Sequence, residues 1–199
     1  MEIKEVALKN QSTAWKIIKE SRIVELWKEI GARVNLVGSL KSGLLMKNRD
    51  IDFHIYTKDL DISRDFSVMA KLAENPAIKD IQYRNLINTE EECIEWHAWY
   101  KDVENNLWQM DLIHIREGST YDGLVERITD TIIKCLTPEL TEAILNIKYN
   151  VPDNTKIPGI DIYRAVISDG IRNYQDFTEW HKANVGINSL EWLPKQNKC

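Results

Sequence analysis

Residues 50–56 read Asp-Ile-Asp-Phe-His-Ile-Tyr. Apolar Ile51, Phe53 and Ile55 alternate with polar Asp50, Asp52 and His54. A period of two is that of a strand, because successive side chains leave opposite faces. One face of this strand therefore joins a core. The other must carry two carboxylates two residues apart. Like charges held side by side cost free energy unless a cation lies between them. A hard divalent ion with oxygen ligands, Mg²⁺ first among them, matches that arrangement.

The flanks of the strand sharpen the reading. Gly38-Ser39 follows the short apolar run Arg33 to Val37, which reads as a strand. Glycine permits a tight turn and a close backbone approach. A short helix with room to run from Leu40 to Met46 would begin at Ser39, aiming free amides and the positive end of a dipole at an anion. Lys41 stands two residues on and could add a charge. A third acid, Asp111, lies mid-strand between Met110 and Leu112. A central strand is a poor place for a lone aspartate. Beside the 50–56 strand it would complete a three-carboxylate cluster. One corner then offers phosphate donors and the next strand offers metal ligands, which together suit a metal–nucleoside triphosphate.

The remaining pattern supplies the frame. Ser12 to Ile30 reads as one helix and Asp65 to Ala73 as another. Strands are expected over Ile78 to Ile87, Cys93 to Asp102 and Leu107 to Ile115, the last two joined through Glu104-Asn105-Asn106. After Gly118 the chain turns helical: Tyr121 to Leu136, then a helix capped by Thr137-Pro138. A Pro-rich linker over Val151 to Gly159 precedes a third helix over Asp161 to Lys182. The expected fold is α+β: a mixed β-sheet with helices on one face, followed by a helical C-terminal part. The expected division is 1–118 for the catalytic domain and 119–199 for the helical region.

With 199 residues, 43% of them apolar, the chain can bury a sizeable core. Its formal net charge of −5 argues against a nucleic-acid partner. Residues 74–104 carry eight acids against three bases, so a polyanion would have to avoid that segment. A basic groove beside the acid cluster would favour RNA, but no basic cluster stands out along the sequence. Cys93, Cys135 and Cys199 are far apart and lack metal spacing, which fits free thiols in a reducing cytoplasm. The first ten residues lack the apolar run of a signal peptide. No apolar run nears the roughly 18 residues of a membrane span.

Gly38-Ser39, ten intervening residues, Asp50-Ile51-Asp52 and then the strand residue Asp111 resemble the DNA polymerase β-type nucleotidyltransferase superfamily. Gly43 is similar to the variant found in antibiotic and minimal nucleotidyltransferases. The resemblance covers roughly residues 21 to 116. It implies Mg²⁺-dependent transfer of a nucleoside monophosphate from a triphosphate to an acceptor hydroxyl, with release of pyrophosphate. Asp50 and Asp52 would bind two Mg²⁺ ions, and Asp111 the ion on the acceptor side. Gly38 and Ser39 would hold phosphates.

Three further residues are candidates for the acceptor site. His54 shares the face of the acids, and Glu95 and His97 share a strand face with Trp99. For His54 the reading as an exposed strand histidine weighs more; for Glu95 and His97 a strand face packed under a helix weighs equally. The aromatic positions from Tyr163 to Trp180 read as core. The acidic balance points to a small-molecule acceptor. The alternatives are transfer to RNA or protein, and a non-catalytic nucleotide-binding module of the same fold.

Overall fold

The computed structural model describes residues 3–184 and 192–194. It opens with α1 (Ile3–Ser21) and α2 (Ile23–Glu29), where one helix from Ser12 to Ile30 was expected. The break is Arg22, whose φ of 56° is left-handed and interrupts the helical ladder. The helix starts early because its first turns have a partner: Ala7 packs with Met46 and Leu145.

β1 (Arg33–Leu36), α3 (Gly38–Lys41) and β2 (Asp50–Thr57) follow. α3 is a single turn, closed where Gly43 takes a φ of +72°, so the helix expected as far as Met46 does not form. Next come α4 (Ile62–Ala73), β3 (Ile78–Leu86), β4 (Cys93–Lys101) and β5 (Leu107–Arg116). Asp61 caps α4 by accepting from the Arg64 amide. Asp102 accepts from the amides of Glu104 and Asn106, fixing the β4–β5 turn.

The five strands form one mixed sheet in the order β1-β2-β5-β4-β3. β2 and β5 run parallel, and every other neighbouring pair is antiparallel. The α+β expectation holds. One sheet face carries Ile51, Phe53, Trp96, Met110 and Leu112, all buried against α1, α2 and α4. The alternation in β2 is thus explained: its odd residues seal the core, and its even residues Asp50, Asp52 and His54 face away from it.

A second apolar core lies in the C-terminal helices α5 (Leu124–Cys135), α6 (Pro138–Asn150), α7 (Gly159–Ile167) and α8 (Tyr174–Asn184). Thr137 caps α6 through the Leu140 amide, as expected from Thr-Pro. The single helix expected from Asp161 to Lys182 is two. Gly170 adopts a φ of +74°, the Ile171 amide turns back to the Ala165 carbonyl at 3.0 Å, and Asn173 caps α8. The aromatic positions Tyr163 and Phe177 are buried in this second core, consistent with the core reading. Of the thiols expected to be free, Cys93 is free and buried, Cys135 is disulfide-bonded, and Cys199 lies outside the described residues. Among the described residues, no helix is long and apolar enough to cross a membrane.

Candidate active site

Register brings the acids together. In the parallel β2–β5 pair Asp52 stands opposite Asp111, and in the β4–β5 pair Asp111 stands opposite His97. The Gly38-Ser39 turn is bound to the same place, because the Val37 amide donates to the Asp52 carbonyl at 2.9 Å. Gly38 has a φ of +68°, and a Cβ there would overlap the Asp52 carboxylate. Glycine is therefore required twice, for its backbone conformation and for the space it leaves. The Ser39 amide donates to the Asp52 carboxylate.

The electrostatics of this corner are costly without a cation. Asp52 keeps some contact with open space yet is ringed by protein atoms. Burial, then the charges of Asp111 and Asp50, push its carboxyl up to about 7, against the pull of Lys148 and the Ser39 amide. Asp50 is also raised, by burial and then by Asp111, against Lys148 and Lys156. Asp111 is braced by its neighbours: His97 Nδ1 lies 2.5 Å from its Oδ1, and Gln109 Nε2 donates to the same atom at 2.7 Å.

The donor set, oxygen-only and mutually repelling, fits a hard divalent cation. Among the described residues, no three His, Cys, Asp or Glu side chains close into a metal-ligand group. The two hydrogen bonds to Asp111 hold it toward its own strand and β4.

The acids line a cleft of about 900 Å³. Gly38, Ser39 and the acid face form one wall. α5, Lys148 of α6, the 151–158 segment and Tyr163 of α7 form the other. His54 and His97 both line it. His54 is held from behind, its Nδ1 3.2 Å from the Tyr56 hydroxyl and 3.5 Å from Glu126 Oε2. Burial would raise the Glu126 carboxyl, but hydrogen bonds from His54, Asn35 and Tyr56 outweigh it and hold it at about 2.

Two expected residues stand elsewhere. Glu95 does not line the cleft; it pairs with Arg84 at 2.9 Å and lies 3.7 Å from His97. Lys41 is exposed and also outside the cleft, because the single turn of α3 buries Leu40 and directs its neighbour to solvent. The cleft cations are instead Lys47, Arg49, Lys148 and Lys156. Sequence reading passed over Lys47, Lys148 and Lys156. Lys47 and Arg49 were legible in principle, as the residues leading into Asp50. Lys148 was not, since only tertiary folding carries α6 to the sheet. Its Nζ donates to the Leu44 carbonyl at 2.8 Å and reaches the Tyr163 hydroxyl at 3.3 Å.

No protein-family model matches the chain, and no curated protein matches it in sequence. Solved structures do match. One of Cid1, described as having RNA terminal uridylyl transferase activity, aligns with a TM-score of 0.51 and 17% identity, over 82% of this chain and 52% of that one. A Cid1 poly(U) polymerase variant bound to MgATP aligns at 0.53 and 16%, over 83% and 56%. The non-canonical poly(A) polymerase complex GLD-2–GLD-3 aligns at 0.53 and 9%, over 96% and 68%. The chain thus spans about half the length of the Cid1 structures it matches.

Proposed function

We propose that this chain, which has the fold of the DNA polymerase β-type nucleotidyltransferases, transfers a nucleoside monophosphate from a triphosphate to a hydroxyl of RNA. The observation that carries this reading is the strand pairing of Asp52 with Asp111 beside Gly38-Ser39, where burial first and then the charges of Asp111 and Asp50 push the Asp52 carboxyl up to about 7. A fold tolerates the cost of such a shift where function requires the charges. In this reading residues 1–118 carry the chemistry, and the helical region that follows Gly118 supplies the opposite wall of the nucleotide site through α5, α6, the 151–158 segment and α7.

The reaction forms a bond from the acceptor hydroxyl oxygen to the α-phosphorus and breaks the bond to the β-phosphate, so pyrophosphate leaves. Asp50 and Asp52 would hold two Mg²⁺ ions, with Asp111 on the acceptor side. Bound there, Mg²⁺ supplies charge neutralisation and a more acidic acceptor hydroxyl. The Gly38 amide and the Ser39 hydroxyl bind the β/γ phosphates, while the Ser39 amide stays on the Asp52 carboxylate. Lys148 and Lys156, already in the electrostatic environment of the acids, offset the charge of the triphosphate. His97 and Gln109 orient Asp111.

The acidic balance favoured a small-molecule acceptor. The Cid1 and GLD-2 structures support RNA instead, and the net charge of a chain says little about the charge at one cleft. The test is incubation with Mg²⁺ and each labelled triphosphate, with a single-stranded RNA oligonucleotide in one arm and a metabolite and antibiotic panel in the other. RNA extended at its end supports the proposal. A labelled small-molecule product without RNA extension restores the small-molecule acceptor. Pyrophosphate from neither arm overturns nucleotidyl transfer.

A further inference from the structure

Next to the main cleft lies a smaller pocket of about 460 Å³, between α1 and the segment leading into β2. Its walls include Lys9, Asn10, Lys47, Asn48, Arg49 and Asp153. Three cations face one carboxylate, in a chain whose formal net charge is −5. Asn10 donates to the Met46 carbonyl at 2.6 Å and so fixes α1 against this segment. Lys47 is already engaged, 2.7 Å from Asp153 and donating to the Val151 carbonyl at 2.8 Å. Lys9 reaches out to Glu104 at 2.8 Å, in a pair more than half exposed. Arg49 differs: its Nε is buried and, among the described residues, has no hydrogen-bond partner. A buried donor without a partner costs free energy unless a ligand supplies the acceptor.

We infer that this pocket binds a backbone phosphate of the single-stranded RNA whose end occupies the main cleft, an inference that rests on the acceptor class proposed above. A phosphate oxygen satisfies the guanidinium of Arg49 with a charge-assisted bond, and Lys9 adds a second positive charge. Lys47, Asn48, Arg49 and Asp153 line both cavities, so the two adjoin at these residues. A strand ending at the acids can lay an upstream phosphate here without leaving the protein. This is the basic surface beside the acid cluster that the sequence did not display. It is assembled from Lys9 on one helix and residues 47–49 far along the chain.

The test measures fluorescence anisotropy of a labelled single-stranded RNA oligonucleotide, without triphosphate, across a salt series. Lys9→Gln and Arg49→Gln should each weaken binding about tenfold. Each should also flatten the dependence of log affinity on log salt by about 0.7 for every phosphate that the side chain no longer neutralises. Lys28→Gln, on the exposed surface of α2, is the control and should leave both unchanged. Lys9 lines only the smaller pocket, so Lys9→Gln should keep the parental rise in melting temperature with Mg²⁺ and a triphosphate. Parental affinity and slope in both variants would overturn the site. So would a missing triphosphate response in Lys9→Gln, which would assign the pocket to the triphosphate. Failure of the proposed reaction is distinguishable, since it abolishes product and leaves the anisotropy result standing.

Discussion

The sheet carries two aspartate–histidine pairs, one on each face. On the core side His114 Nδ1 lies 2.7 Å from Asp65 Oδ2, its Nε2 lies 2.8 Å from the Thr57 hydroxyl, and the pair is about 1% exposed. On the cleft side His97 meets Asp111 at 2.5 Å, and the pair is 20% and 23% exposed. His114 and Asp111 are three residues apart on β5 and so leave opposite faces. The chemistry is the same, and the surroundings decide its use. Both ring nitrogens of His114 are engaged, and Trp96 Nε1 approaches the same carboxylate at 3.4 Å. Trp27 presents an edge to the ring at 5.2 Å. That pair is sealed and holds α4 on the sheet. His97 has only its inner nitrogen engaged at hydrogen-bond distance and opens on a cleft. An open, incompletely satisfied pair beside repelling carboxylates is one that a ligand can complete.

The largest expected effect is at the acids. Asp52→Asn should lower nucleotidyl transfer by a factor of about a thousand or more, as removal of a principal charge-stabilising group does. It should also change the stability of the metal-free protein in the opposite sense. The Asp52 carboxyl sits at about 7 folded against an ordinary 3.8. A group raised on folding contributes stability that is complete below its unfolded value and lost as pH rises through its folded value. A rise from 3.8 to about 7 corresponds to roughly 4 kcal/mol, shared among coupled acids. The parent should therefore weaken between about pH 4 and 7, and Asp52→Asn should not. Denaturation curves across that window check it; a variant less stable than the parent at neutral pH would make Asp52 a structural residue.

Second comes the sealed pair. Asp65→Ala leaves His114 Nδ1 and Trp96 Nε1 buried without their acceptor. The expected loss is about 3–5 kcal/mol of stability, read from chemical denaturation. If the loss is under about 1 kcal/mol, the two pairs are energetically alike and burial does not separate them.

Third is the turn. Gly38→Ala must place a Cβ into the Asp52 carboxylate at a left-handed φ. About 1–2 kcal/mol of backbone strain is expected, with a shifted Asp52 and at least tenfold lower activity. A variant with parental activity would detach the turn from the acid site.

How much of this contrast was legible in the sequence depends on the range of the signal. Asp50, Asp52 and His54 were placed on one face correctly because strand alternation is local. Asp111 was found by the misfit of an acid in an apolar strand. Lys41 was misplaced because nearness to Ser39 in sequence does not fix the direction of a side chain on a single helical turn. The basic pocket was invisible because its members, Lys9 and Arg49, meet only after α1 packs on the segment before β2. The helix breaks divide similarly: Gly170 was a readable stop, but nothing in Arg22 announces a left-handed residue. His114 received no role from sequence, and the structure gives it a packing one.

The smallest effect on stability should be at the open pair. His97 and Asp111 retain contact with solvent, and such partly exposed pairs contribute about 0–1 kcal/mol. His97→Ala should therefore lower stability by less than about 1 kcal/mol, well short of the effect of Asp65→Ala. Its effect should fall on activity instead. Asp111 would keep the Gln109 bond at 2.7 Å but lose the imidazole that holds it from β4. A carboxylate with one tether samples more orientations, so fewer molecules present it correctly. About tenfold lower kcat with little change in KM for the triphosphate is the expected signature. His97→Asn, which can still donate from a shorter side chain, should recover part of that activity. The decisive readings are denaturation and kcat measured on the same preparations. Stability falling in step with activity would mean that His97, like His114, serves packing.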